Sequence, residues 1–176
     1  MISRLVLLAL FACAPLLYAQ RDSNLTDSEV EQLRDSAYVA NDRVLVFIKL
    51  IDVRVKALQD LYSHPRRPGR EQDTHDLLQQ FTALADELDD NLDDYGPHHR
   101  DIRKALPKLL EATERWGTAI KSPPDDATYD VARKLALEAV RDLREEATEL
   151  IEQQRAWFAA HPPGKENPAN AETAPR

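Results

Sequence analysis

Apolar residues recur at intervals of three and four in four separate segments of this chain, and no segment shows the strict alternation of a half-buried strand. The first series is the longest and comprises Val30, Leu33, Ala37, Ala40, Val44, Ile48, Ile51, Val55, Leu58 and Tyr62. Spacings of three and four keep these side chains on one face of an α-helix. The pattern therefore predicts an all-α fold.

The first predicted helix has a complete start signal. Thr26 can cap it while Glu29, three residues later, returns a hydrogen bond, and Leu25 and Val30 occupy the two hydrophobic staple positions. We expect this helix to run to about Ser63, where the sequence HPRRPGR interrupts the pattern.

The second predicted helix carries its apolar stripe from Leu77 to Tyr95. We expect it to stop at Gly96 and Pro97, because glycine suits a left-handed helix cap and proline cannot continue the helix. The third predicted helix carries its stripe from 102 to 120, and Pro107 within it predicts a kink.

The fourth predicted helix begins at SPPD, with Ser122 as cap and Pro123 at the first helical position, and it runs to Phe158. The connections are short, which favours an antiparallel up-down-up-down four-helix bundle. The first and last helices, at about 36 residues, are roughly 20 Å longer than the middle pair. We therefore expect a two-helix extension in which Trp157 and Phe158 pack near Val30 and Leu33.

The two ends of the chain differ in composition from the predicted bundle at 20–158. Residues 1–19 form an apolar run with one arginine, which is typical of a secretory signal peptide cleaved after Ala19. We expect a periplasmic or extracellular protein without a membrane span. Cys13 lies in a loose lipoprotein-like sequence, LFAC, but we do not expect a lipid anchor there. The proline-rich residues 159–176 predict a disordered tail.

The chain is acidic, with 31 Asp and Glu against 23 Lys and Arg and a formal net charge of −8. An acidic protein repels phosphate backbones, so we expect no nucleic-acid binding. The basic loop with Arg66, Arg67 and Arg70 could accept an anionic partner, but it is also typical of a solvated loop that complements nearby acids.

The stretch 86–94 is rich in carboxylates and raises the question of a metal site. On a helical wheel these acids lie opposite the Leu77–Tyr95 stripe, so we expect them to face solvent. A calcium loop of the EF-hand type does not fit, because Asp94 and Arg100 stand where that loop needs glycine and glutamate. We expect no metal site, and Arg100, Arg103 and Lys104 could relieve the repulsion between the acids.

No cofactor or enzymatic activity is predicted. After Ala19 the chain has neither methionine nor cysteine, and its histidines lie outside the apolar stripes, which disfavours haem. The inward Glu-x-x-His pairs of di-iron bundles and glycine-rich catalytic turns are missing from the sequence. A hydrolase built on carboxylates is a further hypothesis, to be dropped unless a pocket gathers two carboxylates, or a histidine with a carboxylate.

The first predicted helix carries a second apolar series on the side away from its main stripe. This helix-one strip consists of Val39, Val46, Leu50, Val53 and Ala57. A helix that is apolar nearly all round is usually buried on more than one side. The strip could belong to internal packing, or it could bind a protein partner or a second copy of the chain, with charged residues such as Arg43, Lys49 and Arg54 as its rim.

The sequence thus predicts an exported, non-enzymatic helical-bundle protein of the bacterial envelope that acts through protein–protein contacts, including a homodimer formed through the helix-one strip. The alternative is a protein that binds divalent cations or small ligands weakly through the acidic face of the second helix.

Overall fold

The structure is a computed structural model that describes residues 25–162. Within this range it contains five α-helices and no strand. The helices are α1 (Asp27–Asp35), α2 (Ala40–Ser63), α3 (Arg70–Tyr95), α4 (Leu106–Lys121) and α5 (Asp130–Ala160). The predicted all-α class is confirmed. The predicted signal peptide with Cys13, and residues 163–176 of the predicted tail, lie outside the described residues.

The first predicted helix is wrong as a single element, because the chain turns at residues 36–39 and separates α1 from α2. The N–H of Ser36 still donates to Gln32, but the N–H of Val39 donates to Ser36 in a tight turn. Val39 then begins α2 in an extended conformation (φ −121°, ψ 100°). The two-helix extension, which needed one long first helix, is therefore wrong as well.

The predicted capping box at the start of α1 is confirmed. The N–H of Glu29 donates to Thr26 Oγ1 over 3.3 Å, and the N–H of Thr26 donates to Glu29 Oε2 over 2.8 Å. These reciprocal bonds satisfy two backbone donors that the first turn of a helix leaves without intrahelical partners.

The helix α3 ends at Tyr95 as predicted, but Gly96 does not form the left-handed cap. Gly96 is right-handed (φ −57°), and the left-handed residue is His99 (φ 52°). What requires glycine at 96 is close packing, because a Cβ there would lie 2.9 Å from Cδ2 of Leu150 on α5. At the other end, Gly69 precedes α3 with φ 84°, a conformation that glycine adopts at little cost.

Two proline-containing sequences, at Pro107 and at Ser122–Pro124, adopt structures that differ from those predicted. Pro107 lies in the first turn of α4, where its missing N–H needs no partner, so it starts a helix and kinks none. Ser122 ends α4 rather than beginning the next helix, and its Oγ donates to Ala119 O over 2.8 Å. The fourth predicted helix therefore begins later, at Asp130.

The four longer helices share one core. The helix α2 packs against α3 and α4, and α5 packs against the same two helices, so the connection from α3 to α4 crosses the body of the protein. The largest fully buried side chains include Trp116, Tyr129, Phe47 and Phe81. The rings of Phe81 and Trp116 meet edge to face at 5.7 Å, which joins α3 to α4 at the centre.

The helices α3 and α5 run in the same direction. His75 and Thr128 line one groove near the N-terminal ends of both helices, and Gly96 lies beside Leu150 near their C-terminal ends. Trp157 stacks on His99 and His161, so its packing is with the α3–α4 connection rather than with α1 as predicted. No described helix has the length and apolar character needed to span a membrane.

Candidate protein-binding surfaces

The structure places the residues of the helix-one strip in three environments. Leu50 is 2% exposed, whereas Val39 and Val53 are 51% and 50% exposed. Val46 and Ala57 are half-buried. The centre of the strip is therefore buried and its two ends remain partly open to solvent.

The helix α1 lies against α2 on this side and runs antiparallel to it. Arg54 forms a two-point ion pair with Glu29, in which Nη2 donates to Oε2 over 2.9 Å and Nη1 pairs with Oε1. Lys49 Nζ donates to Gln32 Oε1 over 2.9 Å. Arg43 Nη1 donates to Leu33 O over 2.9 Å. The three residues predicted as the rim of a partner site thus contact the chain's own first helix.

The ion pair between Glu29 and Arg54 is largely shielded from water. The two side chains are 12% and 7% exposed. The hydrogen bond from Arg54, assisted by the backbone bond from Thr26, lowers the pKa of Glu29 from its ordinary 4.5 to about 2, although partial burial opposes this change. The folded protein therefore strongly favours the ionised carboxylate at this position.

A second surface, which the sequence analysis did not find, is a groove between the parallel helices α3 and α5. This α3–α5 groove has a cavity volume of about 430 Å³. Its walls are formed by His75, Gln79, Thr82, Ala83 and Asp86 of α3 and by Val131, Ala132 and Leu135 of α5, with Ala127 and Thr128 just before α5. Val131 and Leu135 are 69% and 50% exposed, so they form an exposed apolar pair one helical turn apart.

The signal for this groove was present in the sequence but weak. Val131 and Leu135 have the spacing of one helical turn and lie beside the main α5 stripe of Ala132 and Ala136. Two apolar residues widen a stripe only slightly, and a sequence pattern does not tell which helix lies next to them. The groove exists because α3 and α5 are neighbours.

Beyond the groove, toward the C-terminal ends of both helices, carboxylates of α3 and α5 lie near one another, and one of them, Asp142, is paired with Arg141 at 2.9 Å. We define the acidic ridge as Asp86 and Asp89 of α3 with Asp142 and Glu146 of α5. The pKa of Asp89 is raised, first by partial burial and then by Asp93, Asp142 and other neighbouring carboxylates. Partial burial, with Asp90 and Asp142 nearby, does the same to the pKa of Asp86, and partial burial with Asp93 and Asp89 raises the pKa of Glu146.

Five of the six acids at 86–94 are exposed, as predicted, and Asp89 is half-buried, while Leu84 and Leu88 are buried at 2% and 0% exposure. The expected relief does not come from the basic residues before α4: within residues 25–162 the acids at 86–94 pair only with Arg43, which lies 3.6 Å from Glu87, and with His98, which lies 3.2 Å from Asp94. Arg103 donates to Asp101 over 2.9 Å, and none of the ion pairs in residues 25–162 involves Asp86 or Asp89. Within the same range no group of three or more His, Cys, Asp and Glu side chains could hold a metal ion.

The groove contains a histidine and a carboxylate, which is the condition set for the hydrolase hypothesis. His75 and Asp86 are eleven residues apart on one helix, however, which separates them by about 16 Å along its axis. General acid–base catalysis needs both groups within hydrogen-bond reach of one reacting centre. His75 Nδ1 lies 3.1 Å from Asp76 instead. The geometry of the groove therefore suits binding better than catalysis.

The basic loop before α3 is paired with acids of the first helical turns. Arg66 lies 3.1 Å from Glu71, and Arg67 lies 2.6 Å from Asp73. The loop thus complements nearby acids, one of the two interpretations given above.

A third concave region, of about 400 Å³, lies where α4 meets the end of α5. Its walls include Leu106, Pro107, Ile151 and Phe158, with Arg103 and Arg155 at the edge. Arg103 lies over the ring of Phe158 at 3.9 Å and is paired with Asp101, and Arg155 is paired with Glu152. Both arginines thus have acidic partners within the chain.

Comparison of the sequence with protein-family models, and of the chain with curated proteins and solved structures, finds no match.

Proposed function

We propose that this chain is an exported, non-enzymatic helical-bundle protein of the bacterial envelope that acts by binding another protein. We propose further that the α3–α5 groove is the binding surface and that its partner segment is an amphipathic helix carrying basic residues. The observation that supports this most is the exposure of Val131 and Leu135 beside a groove that leads directly into the acidic ridge.

The shape of the surface favours a helical partner. Two neighbouring parallel helices form a groove along their length, and an amphipathic helix can place its apolar face in such a groove with anchors three and four residues apart. Val131 and Leu135 have this spacing on one wall. The small side chains of Ala83 and Ala132 leave the floor of the groove open.

The charge of the surface favours a basic partner. The acidic ridge combines carboxylates from two helices, and their raised pKa values reflect both partial burial and mutual repulsion. A lysine or arginine placed among them would remove this repulsion and gain attraction, and it would also accelerate association. A second copy of this acidic chain would not supply that charge as well.

The alternative function, weak binding of divalent cations or small cationic ligands, rests on the same raised pKa values. The acids of the ridge belong to two helices, however, and within residues 25–162 no group of three or more His, Cys, Asp and Glu side chains is placed to hold a metal ion, whereas calcium ligation requires several converging oxygens. An extended partner with several separated positive charges fits such a line of carboxylates better.

Calorimetric titration with a test peptide examines the proposal. The peptide is an amphipathic helix of about 18 residues with leucines on one face and lysines beside them, and a second peptide has glutamates in place of the lysines. We expect the lysine peptide to bind in the micromolar range and the glutamate peptide not to bind. Leu135→Glu should weaken binding at least tenfold, because it places a charge in the apolar wall.

The matched control is Val53→Glu, which changes an equally exposed apolar residue on α2. It should leave the affinity unchanged. No heat with the lysine peptide, or equal affinities for Leu135→Glu and the unchanged chain, would overturn the proposed surface. Titration with calcium, zinc and copper tests the alternative, which ends if an Asp89→Asn, Asp93→Asn variant gives the same heat.

Cell fractionation with N-terminal sequencing tests the export. We expect the protein outside the cytoplasm with Gln20 as its first residue. Retention of residues 1–19 in a cytoplasmic protein would overturn this part of the proposal.

A further inference from the structure

The turn at residues 36–39 is not explained by a helix-breaking residue. Neither glycine nor proline occurs anywhere between Asp27 and Ser63, and the apolar spacing of three and four passes through the turn without interruption. A continuous helix and a helical hairpin are therefore both compatible with the local sequence.

The hairpin has identifiable local costs at this turn. Val39 begins α2 without a side-chain hydrogen bond to the exposed backbone donors of the first turn. The Oδ1 atom of Asn41, two residues later, is buried without a hydrogen-bond partner. Tyr38 is 92% exposed and adds no packing to the turn. The contacts between α1 and α2 must offset these costs.

The same contacts can form between two copies. In a straight helix each residue is turned by about 100° from the one before it. On such a helix the contact residues of both segments fall within one arc of roughly 100° around the axis. They are Glu29 and Leu33 of the α1 segment and Arg43, Leu50 and Arg54 of the α2 segment. A straightened helix thus presents these contact residues on one side, with Lys49 about 100° further round than Leu50 at the edge of that side. Two such helices placed antiparallel would set Glu29 of each copy beside Arg54 of the other.

The register of the hairpin supports a symmetric exchange. Glu29 pairs with Arg54, and Gln32 pairs with Lys49. The two residue numbers add to 83 in the first pair and to 81 in the second, which is the pattern of one antiparallel register. In two antiparallel straight helices this register places the two-fold axis near Asn41, close to the turn. Each half of the interface would then occur twice, with the same partners as in the single chain.

We propose that the α1–α2 hairpin is the closed form of an exchange element, and that a second copy of this chain can take the place of α1 on the helix-one strip. In the exchanged dimer, residues 27–63 form one helix in each copy. This inference does not depend on the basic partner proposed for the α3–α5 groove, which lies on other helices.

Crosslinking between single-cysteine chains tests the exchange. One chain carries Gln32→Cys and the other Lys49→Cys, both with Cys13→Ser, and tags of different mass distinguish them. The chains are mixed unfolded, refolded together at about 500 µM and treated with a short bis-maleimide. Because each chain has a single cysteine, a 32–49 crosslink can form only between copies.

We expect the covalent heterodimer for this pair and not for the control pair of Gln32→Cys with Gln59→Cys, whose second position lies on another face of α2. Failure of the 32–49 pair to crosslink above the level of the control overturns the exchange.

Two substitutions at Val39 shift the equilibrium in opposite directions, and neither disturbs the core, because this side chain is half exposed. Val39→Ala favours the continuous helix, so we expect dimerisation roughly fivefold tighter in sedimentation. Val39→Asp supplies the missing cap to α2 in the closed form, so we expect dimerisation about thirtyfold weaker. Equal association of the two variants also overturns the exchange, because a dimer formed through any other surface would not respond to this turn.

Discussion

The ion pair between Glu29 and Arg54 allows a quantitative prediction about the docking of α1. Glu29→Gln keeps the size of the side chain and can keep its bond to the N–H of Thr26, since glutamine also serves in a capping box. It removes the negative charge beside Arg54, which is only 7% exposed. The largely buried guanidinium then loses the carboxylate that accepts two of its hydrogen bonds.

The magnitude follows from the pKa of Glu29. The change from 4.5 to about 2 is roughly 2.5 pKa units, which at 1.36 kcal/mol per unit corresponds to about 3 kcal/mol of preference for the ionised form. Little of this is lost to solvent screening, because the Glu29 side chain is 12% exposed. The loss should fall on α1 first, since Leu33 is the only buried residue of that helix.

Hydrogen exchange measures the loss directly. We expect the amides at 30–36 to exchange roughly a hundredfold faster in Glu29→Gln, while amides in the middle of α3 and α5 change little. Glu31→Gln is the matched control, because Glu31 lies in the same helix but is 53% exposed and paired only with Arg34. Its effect should stay below about 0.5 kcal/mol.

The dependence on pH provides an independent check. A lowered pKa means that the ion pair contributes its full stability above pH 4.5, and that this contribution is lost as the pH falls toward about 2. Glu29→Gln lacks this loss, so the exchange rates of the two proteins should converge at low pH. Equal rates at pH 7, or parallel pH profiles, would refute the assigned role of the pair.

Two further predictions concern α3. Asp89→Asn should raise the free energy of unfolding at pH 7 by several tenths of a kcal/mol, because it removes repulsion from Asp93 and other acids; thermal unfolding measures this. The raised pKa of Asp89 means that the folded state gains stability as the pH falls from neutrality toward the ordinary 3.8, and this gain should be smaller in the variant. Gly96→Ala should cost about 1 kcal/mol in urea unfolding, because the new Cβ meets the buried Leu150 side chain. In a Leu150→Ala background the same change should be neutral or stabilising, and an equal cost in both backgrounds would contradict the contact.

Much of the local structure could be predicted because it is determined by neighbours in the sequence. The capping box of Thr26 and Glu29 involves residues three apart, and α3 ends at Tyr95, two residues before Pro97, which cannot continue a helix. The burial of Leu84 and Leu88 beneath solvent-facing acids follows from helical periodicity alone. None of these features depends on which helices are neighbours.

The wrong predictions share a different cause. A serine followed by prolines is typical of a helix start, but Ser122 is equally able to satisfy a carbonyl at the end of the preceding helix, and here it does so. Pro107 kinks a helix only if a full turn precedes it, and the start of α4 at Leu106 removes that condition. The α3–α5 groove depends on the spatial order of the helices, which no local signal specifies.

The helix-one strip shows why a correct pattern can leave two structures open. A helix that is apolar on two sides requires a second helix, and that requirement is met when α1 covers Leu50. The pattern cannot tell whether the covering helix comes from the same chain or from another copy, because the contacts of Glu29 with Arg54 and of Gln32 with Lys49 are the same in both. The free energies of the closed single chain and of the exchanged dimer therefore differ in two contributions, the turn at residues 36–39 and the entropy of association. A single substitution at Val39 acts on the first of these and leaves the contacts of Glu29 with Arg54 and of Gln32 with Lys49 in place, which makes this exposed residue the most informative position on the strip.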